Sequence, residues 1–205
     1  MDLESFTKVF SNIYPNLDQY LTRRGYFLKN EILDQFDHVY FGLSEGEART
    51  IDPAHRLLLE KFVHLLEDAN YTVDEISGTK TSVFIGQLSS EHQRIMFQSP
   101  AETNSASLAQ NVNKYNASAR LAYHFNLRGP NFTIDTACSS SLQAVHLAVQ
   151  SLRNGEAQYA VAGGTNTIYT PEGLWNNSLI QAVSPDGRSR AYCIEANGYA
   201  KGTNI

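Results

Sequence analysis

Two thiols are available for chemistry in this chain, Cys138 and Cys193. They lie far apart with no paired spacing, which argues against a disulfide framework or a cysteine zinc site, so each is read as a lone thiol. Cys138 has the more informative surroundings. Phe132 and Ile134 alternate with Asn131, Thr133 and Asp135, a strand pattern; after Ala137, Cys138 and Ser139, Leu142, Val145, Val149 and Leu152 recur at three-four spacing, a helix pattern. A thiol where a strand hands over to a helix stands near unpaired backbone N–H groups and the positive end of the helix dipole, which favour the thiolate. The same N–H groups can receive the oxyanion formed when a thioester is attacked. Ala137, Ser139, Ser140 and Ser141 are small, as a sharp turn requires. The alternative is a small buried apolar side chain, the ordinary role of a lone cysteine, and the residues alone leave both readings open.

Six histidines are the obvious candidates for a base. His146 lies eight residues beyond Cys138 on the same expected helix, about 12 Å along the axis, too far to reach the thiol. His55 and His64 fall on another expected helix with no metal spacing and read as packing or solvated groups. His38, His92 and His124 sit in or beside expected loops with no partner in the pattern. None is assigned a role.

The elements that would carry Cys138 follow from periodicity. A short helix is expected around Leu3 to Ile13, followed by a loop-rich stretch. The next helix runs from Pro53 to Asn70: Asp52 suits the cap, Pro53 the first helical position, and Leu58, Phe62, Leu65 and Leu66 one face. Thr81 to Gly86 is short, β-branched and apolar, as a buried parallel strand is. One helix is expected from Ser105 to Tyr123, ended by Gly129 and Pro130. The helix after Cys138 should stop at Asn154-Gly155, and Ala157 to Gly164 should return as a strand, giving a right-handed βαβ crossover in a mostly parallel sheet. No repeat, low-complexity tract or linker suggests an internal boundary.

The composition is that of an ordinary globular protein of 205 residues, 42% hydrophobic and 18% charged, with net charge −5 and hence no basic face for nucleic acid. No segment has the apolar length of a signal peptide or membrane helix, so a cytoplasmic protein is expected. The glycosylation tripeptides at Asn116, Asn131 and Asn176 are taken as chance without a secretory signal.

Against that background the motif from Asp135 to Ser141, DTACSSS, resembles the active-site signature of the polyketide and fatty-acid ketosynthases. Phe41 to Glu60, Ser82 to Gly86 and Ala119 to Pro130 resemble that family's preceding segments in order. Leu142 to Glu156, Ala160 to Asn166 and Ser184 to Tyr192 resemble its following ones. The resemblance implies an α/β, thiolase-like layered fold, here its N-terminal half only, with a mostly parallel sheet flanked by helices. Residues 1–205 would then be a partial β-ketoacyl synthase N-terminal domain, the C-terminal half being absent. It implies Cys138 as catalytic nucleophile, no bound cofactor or metal, and substrates carried as phosphopantetheine thioesters on acyl carrier protein or coenzyme A. Expected partners are that carrier and a second copy or another ketosynthase half, with neither nucleic acid nor membrane. The family's two histidine motifs, Gly-Thr-His and Asn-Lys-His, do not occur in this sequence. Nor does the usual ending: Cys193 follows Tyr192 where the family has an acidic residue, and the chain closes on Thr203-Asn204 where it has Glu-Gly. Cys193 is read as a drifted position. Two functions remain open: acyl transfer and decarboxylative condensation, or an inactive remnant that at most accepts an acyl group or dimerises. A different acyl-binding thiol protein of the thiolase superfamily fits the motifs less closely.

Overall fold

A computed structural model describes residues 26–28, 35–88, 90–98, 108–170, 173 and 182–203. The helix expected around Leu3 to Ile13 lies outside them. The chain separates into two compact units, one holding the described residues of 36–166 and the other those of 1–35 and 167–205.

In the larger unit, helix α1 (Glu45–Thr50) is capped by Ser44, whose Oγ accepts from Glu47 N. Helix α2 (Pro53–Asp68) begins as expected: Asp52 Oδ1 accepts from Ala54 N and Pro53 occupies the first turn. It ends before Asn70, which takes a left-handed φ of 58°. Its buried face carries Leu59, Phe62 and Leu66, whereas Leu65, expected inside, is exposed. The short helix α3 (Val73–Ile76) opens on a reciprocal capping box between Thr72 and Glu75. Strand β2 (Thr81–Gln87) is buried along its whole length. Helix α4 (Glu91–Gln98) follows it.

The single helix expected over Ser105 to Tyr123 is two among the described residues, α5 (Leu108–Val112) and α6 (Asn116–His124), separated by a turn at 113–115. That turn is anchored from both sides. Asn113 Oδ1 accepts from Gln93 Nε2 at 3.0 Å, and Tyr115 O accepts from Thr133 Oγ1 at 3.1 Å. Helix α6 stops at His124, just before the left-handed Asn126, and not at Gly129. Gly129 serves another end: a Cβ there would stand 2.5 Å from the Thr81 backbone.

Strand β3 (Asn131–Ile134), helix α7 (Ser140–Arg153) and strand β4 (Tyr159–Thr165) complete the unit, with Gly155 left-handed after α7. The sheet order is β3-β2-β4 and every pairing is parallel, with Ile85 opposite Thr133 on one side and Gly163 on the other. Alternate β2 side chains point to opposite faces. Val83 and Ile85 join Leu59, Phe62, Leu121 and Phe125 beneath α2 and α6, while Phe84 meets Ala144 and Ala148 of α7. The result is a parallel sheet with helices on both faces.

The face that α7 turns inward is not its branched apolar stripe. Ser140, Ala144, Ala148 and Ser151 are buried, whereas Leu142 is 72% exposed and Val145, Val149 and Leu152 are also exposed. At its start the reason is the sheet it covers, where Gly86 and Gly164 bring Ser140 and Ser141 close to the strands; farther along, Leu147 packs partly buried beside Ala144 and Ala148 on Phe84. In the smaller unit, β1 (Tyr26–Phe27) pairs in parallel with β5 (Gly202–Thr203). There Arg190 and Asp186 form an ion pair that holds the Asp186 carboxyl far below the usual carboxylate range, helped by the Ser184 hydroxyl.

A buried polar network locks α2 to the sheet end. His55 Nε2 donates to Gln87 Oε1 at 3.0 Å, and Asp52 Oδ2 accepts from Ser90 Oγ at 2.8 Å. Arg120 donates to Asn111 Oδ1 at 2.5 Å and Asn111 Nδ2 to Thr50 Oγ1 at 2.7 Å. His92, expected beside a loop, lies in α4 and donates to Thr50 O. With Nε2 donating, the His55 Nδ1 is an acceptor, and it has no partner among the described residues. A proton there would be buried without an acceptor; burial accordingly pushes the His55 pKa below the usual imidazole value of 6.5, more than the nearby Asp52 charge raises it. Because the unfolded chain then binds the proton first, this contribution is complete above pH about 6.5 and is lost as pH falls below it. Thermal melting across that range should show the melting temperature falling on acidification, and His55→Gln should flatten part of the fall.

Candidate active site

The elbow that carries Cys138 is built by hydrogen bonds within residues 135–140. Ile134 ends the strand, and Asp135 Oδ1 accepts from Ala137 N at 3.1 Å. Ala137 takes a left-handed φ of 56°, unusual for a residue with a Cβ, so the chain reverses sharply at the residue before the thiol. Ser140 Oγ ties the two limbs together: it accepts from Thr136 N at 2.9 Å and donates to Ala137 O at 2.6 Å. Ser139 Oγ donates to Thr136 O at 2.8 Å. Small hydroxyl residues are therefore required here as hydrogen-bonding groups, beyond the small volume the sequence suggests.

Cys138 is exposed and unpaired, one residue ahead of Ser139, the N-cap of α7. It stands where the strand hands over to the helix, ahead of the first turn. Ser139 makes no side-chain cap hydrogen bond, its hydroxyl being turned back to Thr136, so no N-cap side chain covers the opening turn of α7. An exposed thiol beside an uncapped helix start can attack a carbonyl carbon and offer backbone N–H groups to the resulting oxyanion.

Two glycines set where that helix start sits. A Cβ on Gly86, at the end of β2, would stand 2.7 Å from the Ser140 carbonyl carbon and the Ser141 nitrogen; one on Gly164 of β4 would stand 2.9 Å from Ser141 Cβ. Reading the sequence for reactive residue types misses both, although each is visible in it as a glycine near the end of an apolar strand. It also misses Lys114, whose Nζ lies 3.0 Å from Asp135 Oδ2.

The histidines are engaged elsewhere. His55 and His92 belong to the buried network, His38 Nδ1 bonds Leu43 O, and His64 meets Lys61. His124 packs on Phe41 and Phe125, and burial pushes its pKa down. His146 is exposed on α7. Cys193, the second thiol, is also exposed.

The described residues of the larger unit thus form a parallel α/β layer with an exposed cysteine on its strand-to-helix elbow. The chain belongs to the family described as β-ketoacyl synthase, N-terminal domain, whose model matches residues 14–203. Among its relatives, the fusarielin synthase of Gibberella zeae is 43% identical over 185 residues, 89% of this chain and 7% of that protein. A highly reducing polyketide synthase of Fusarium pseudograminearum is 42% identical over 181 residues, 88% of this chain and 7% of its own. Among solved structures, the ketosynthase from module 6 of the bacillaene synthase of Bacillus subtilis matches with a TM-score of 0.73 and 34% identity, over 84% of this chain and 28% of that one. The chain thus spans a small part of the polyketide synthases it resembles and less than a third of a solved ketosynthase chain. The thiolase-like layered fold expected from the motifs is the fold found. No helix among the described residues is long and apolar enough to cross a membrane.

The contact at Gly86 gives a direct check. Gly86→Ala must push the start of α7 off the strand, and we expect it to destabilise the fold by about 1–3 kcal/mol and to slow any reaction of Cys138. An alanine variant that melts and reacts like the parent would show that the elbow tolerates displacement.

Proposed function

We propose that Cys138 is the acyl-accepting nucleophile of a polyketide-type ketosynthase. The single observation that supports this most is an exposed thiol held by a strained, hydrogen-bonded elbow at an uncapped helix start, in a chain of the ketosynthase family. The Cys138 thiolate attacks the carbonyl carbon of a phosphopantetheine thioester. The oxyanion is received by backbone N–H groups at the start of α7; the adduct then collapses, forming the Cys138 thioester and expelling the carrier thiolate, which takes up from solvent a proton equivalent to the one Cys138 released on ionising. Acyl carrier protein or coenzyme A is the donor. In the condensation that follows in ketosynthases, a malonyl-type thioester loses CO2 and its α-carbon displaces the Cys138 sulfur, giving a β-ketoacyl product.

The condensing step calls on the two histidine motifs that this sequence lacks. Oriented acid-base groups of that kind contribute about 10²–10⁴-fold each. Residues 1–205 alone therefore accept an acyl group and stop, acting as one part of a condensing domain. The exposed stripe of Leu142, Val145, Val149 and Leu152 supports a partner, either a second copy or another ketosynthase half, since covering apolar surface of this kind is favourable by about 25 cal/mol per Å².

Incubation with an acyl-coenzyme A followed by peptide mass spectrometry should find the acyl mass on the peptide containing Cys138, absent in Cys138→Ala and retained in Cys193→Ser. Acylation that survives Cys138→Ala would remove the assignment. Release of a β-ketoacyl product by residues 1–205 alone would show the histidine motifs to be dispensable.

A further inference from the structure

We infer that Lys114 is a positioning residue for Cys138: its ammonium group clamps the Asp135 carboxylate, and through it the turn at Ala137, in the geometry that presents the thiol. This rests on the acyl-acceptor role proposed for Cys138.

The two Asp135 oxygens have separate tasks. Oδ1 accepts from Ala137 N at 3.1 Å, supporting the left-handed backbone immediately before Cys138. Oδ2 accepts from Lys114 Nζ at 3.0 Å. One oxygen serves Ala137 only when the carboxylate plane lies along this direction, and the ammonium on the opposite oxygen holds the plane there. Lys114 Nζ also donates to Leu88 O at 3.2 Å, just beyond the end of β2. One cation therefore joins the chain leaving β2 to the chain leaving β3, next to the elbow.

The base of this clamp is firm. Lys114 stands in the turn between α5 and α6, and both its neighbours are held: Asn113 by Gln93, and Tyr115 O by Thr133 Oγ1 within β3. Thr133 Oγ1 also accepts from Ser118 N at 3.2 Å, fixing the first turn of α6 to the same strand. The Lys114 hydrogen bond, with that of Ala137 N second, holds the Asp135 carboxyl below its usual range, as a carboxylate kept ionised for this purpose would be.

An ordinary surface ion pair is the competing explanation. Lys114 and Asp135 side chains are 42% and 39% exposed, and pairs of that kind add little to stability. The two roles therefore predict different outcomes: loss of Lys114 should leave the melting temperature in place but change the reactivity of Cys138.

The test uses the full chain and its alkylation by iodoacetamide at one neutral pH, followed at the Cys138 peptide by mass spectrometry so that Cys193 does not contribute. Lys114→Met should slow alkylation roughly three- to fivefold, the upper end of what an exposed pair contributes, while Lys114→Arg keeps the parent rate. Asp135→Asn should slow it similarly, and adding Lys114→Met to it should cost nothing further, because the lysine acts through that carboxylate. Parent-like alkylation of Lys114→Met, equal loss in Lys114→Arg, multiplying losses in the double variant, or a Lys114→Met chain that melts well below the parent would each overturn the assignment. If the parent itself accepts no acyl group from acyl-coenzyme A at Cys138, the nucleophile role fails and the positioning role with it; parent acylation with an unaffected Lys114→Met removes only the latter.

Discussion

The close approach of α7 to the ends of β2 and β4 is the constraint on which the rest of the larger unit depends. Gly86 and Gly164 leave no room for a Cβ against Ser140 and Ser141, so the helix starts directly on the sheet. That proximity demands a small residue at the helix start, which Ser140 supplies, and Ala144 and Ala148 continue the buried face over Phe84. It also places the residue before the helix at the strand tips, where a ligand can approach the carboxyl ends of a parallel sheet. The position of Cys138 is thus a consequence of backbone packing, and its chemistry is added by the local turn.

That turn carries strain and spreads its support over several groups. A left-handed alanine costs energy that a glycine would not, of order 1 kcal/mol. The Asp135 carboxylate, the Ser140 hydroxyl and the Ser139 hydroxyl all bond to the turn backbone. Each is a modest interaction of about 0.5–1.5 kcal/mol or a little more where charge assists. Together they are enough to hold one strained residue. Asp135, Thr136, Ser139 and Ser140 of the DTACSSS motif therefore form a hydrogen-bonding unit around the exposed cysteine.

On the opposite face of the sheet, a different logic applies. Val83 and Ile85 close a conventional apolar core beneath α2 and α6, while the polar network of Asp52, His55, Gln87 and Ser90 ties the helix start to the end of β2. Buried polar groups of this sort give geometric uniqueness only when they are satisfied. Here the His55 Nδ1 has no partner among the described residues, which links the unit's stability to pH. The network and the elbow sit at the same end of β2, so the strand that positions the thiol is itself positioned by buried hydrogen bonds.

Much of this was legible in the residues. Asp52 and Pro53 mark the start of α2, the apolar run after Thr81 marks β2, and the alternation before Cys138 with the periodicity after it marks strand, thiol and helix. These are local signals, and local chemistry decides them. What the residues could not reveal is which face of α7 turns inward, since hydrophobic periodicity names Leu142, Val145, Val149 and Leu152, whereas packing on the sheet buries Ser140, Ala144 and Ala148. Likewise the break between α5 and α6, the partner of His55 and the contact of Lys114 with Asp135 all join residues distant in sequence, and only the packed chain brings them together. The sequence by itself determined that a thiol stands between a strand and a helix, because that signal is local; the tertiary structure alone decided how closely those elements pack and that the thiol is exposed, because both depend on contacts between distant parts of the chain.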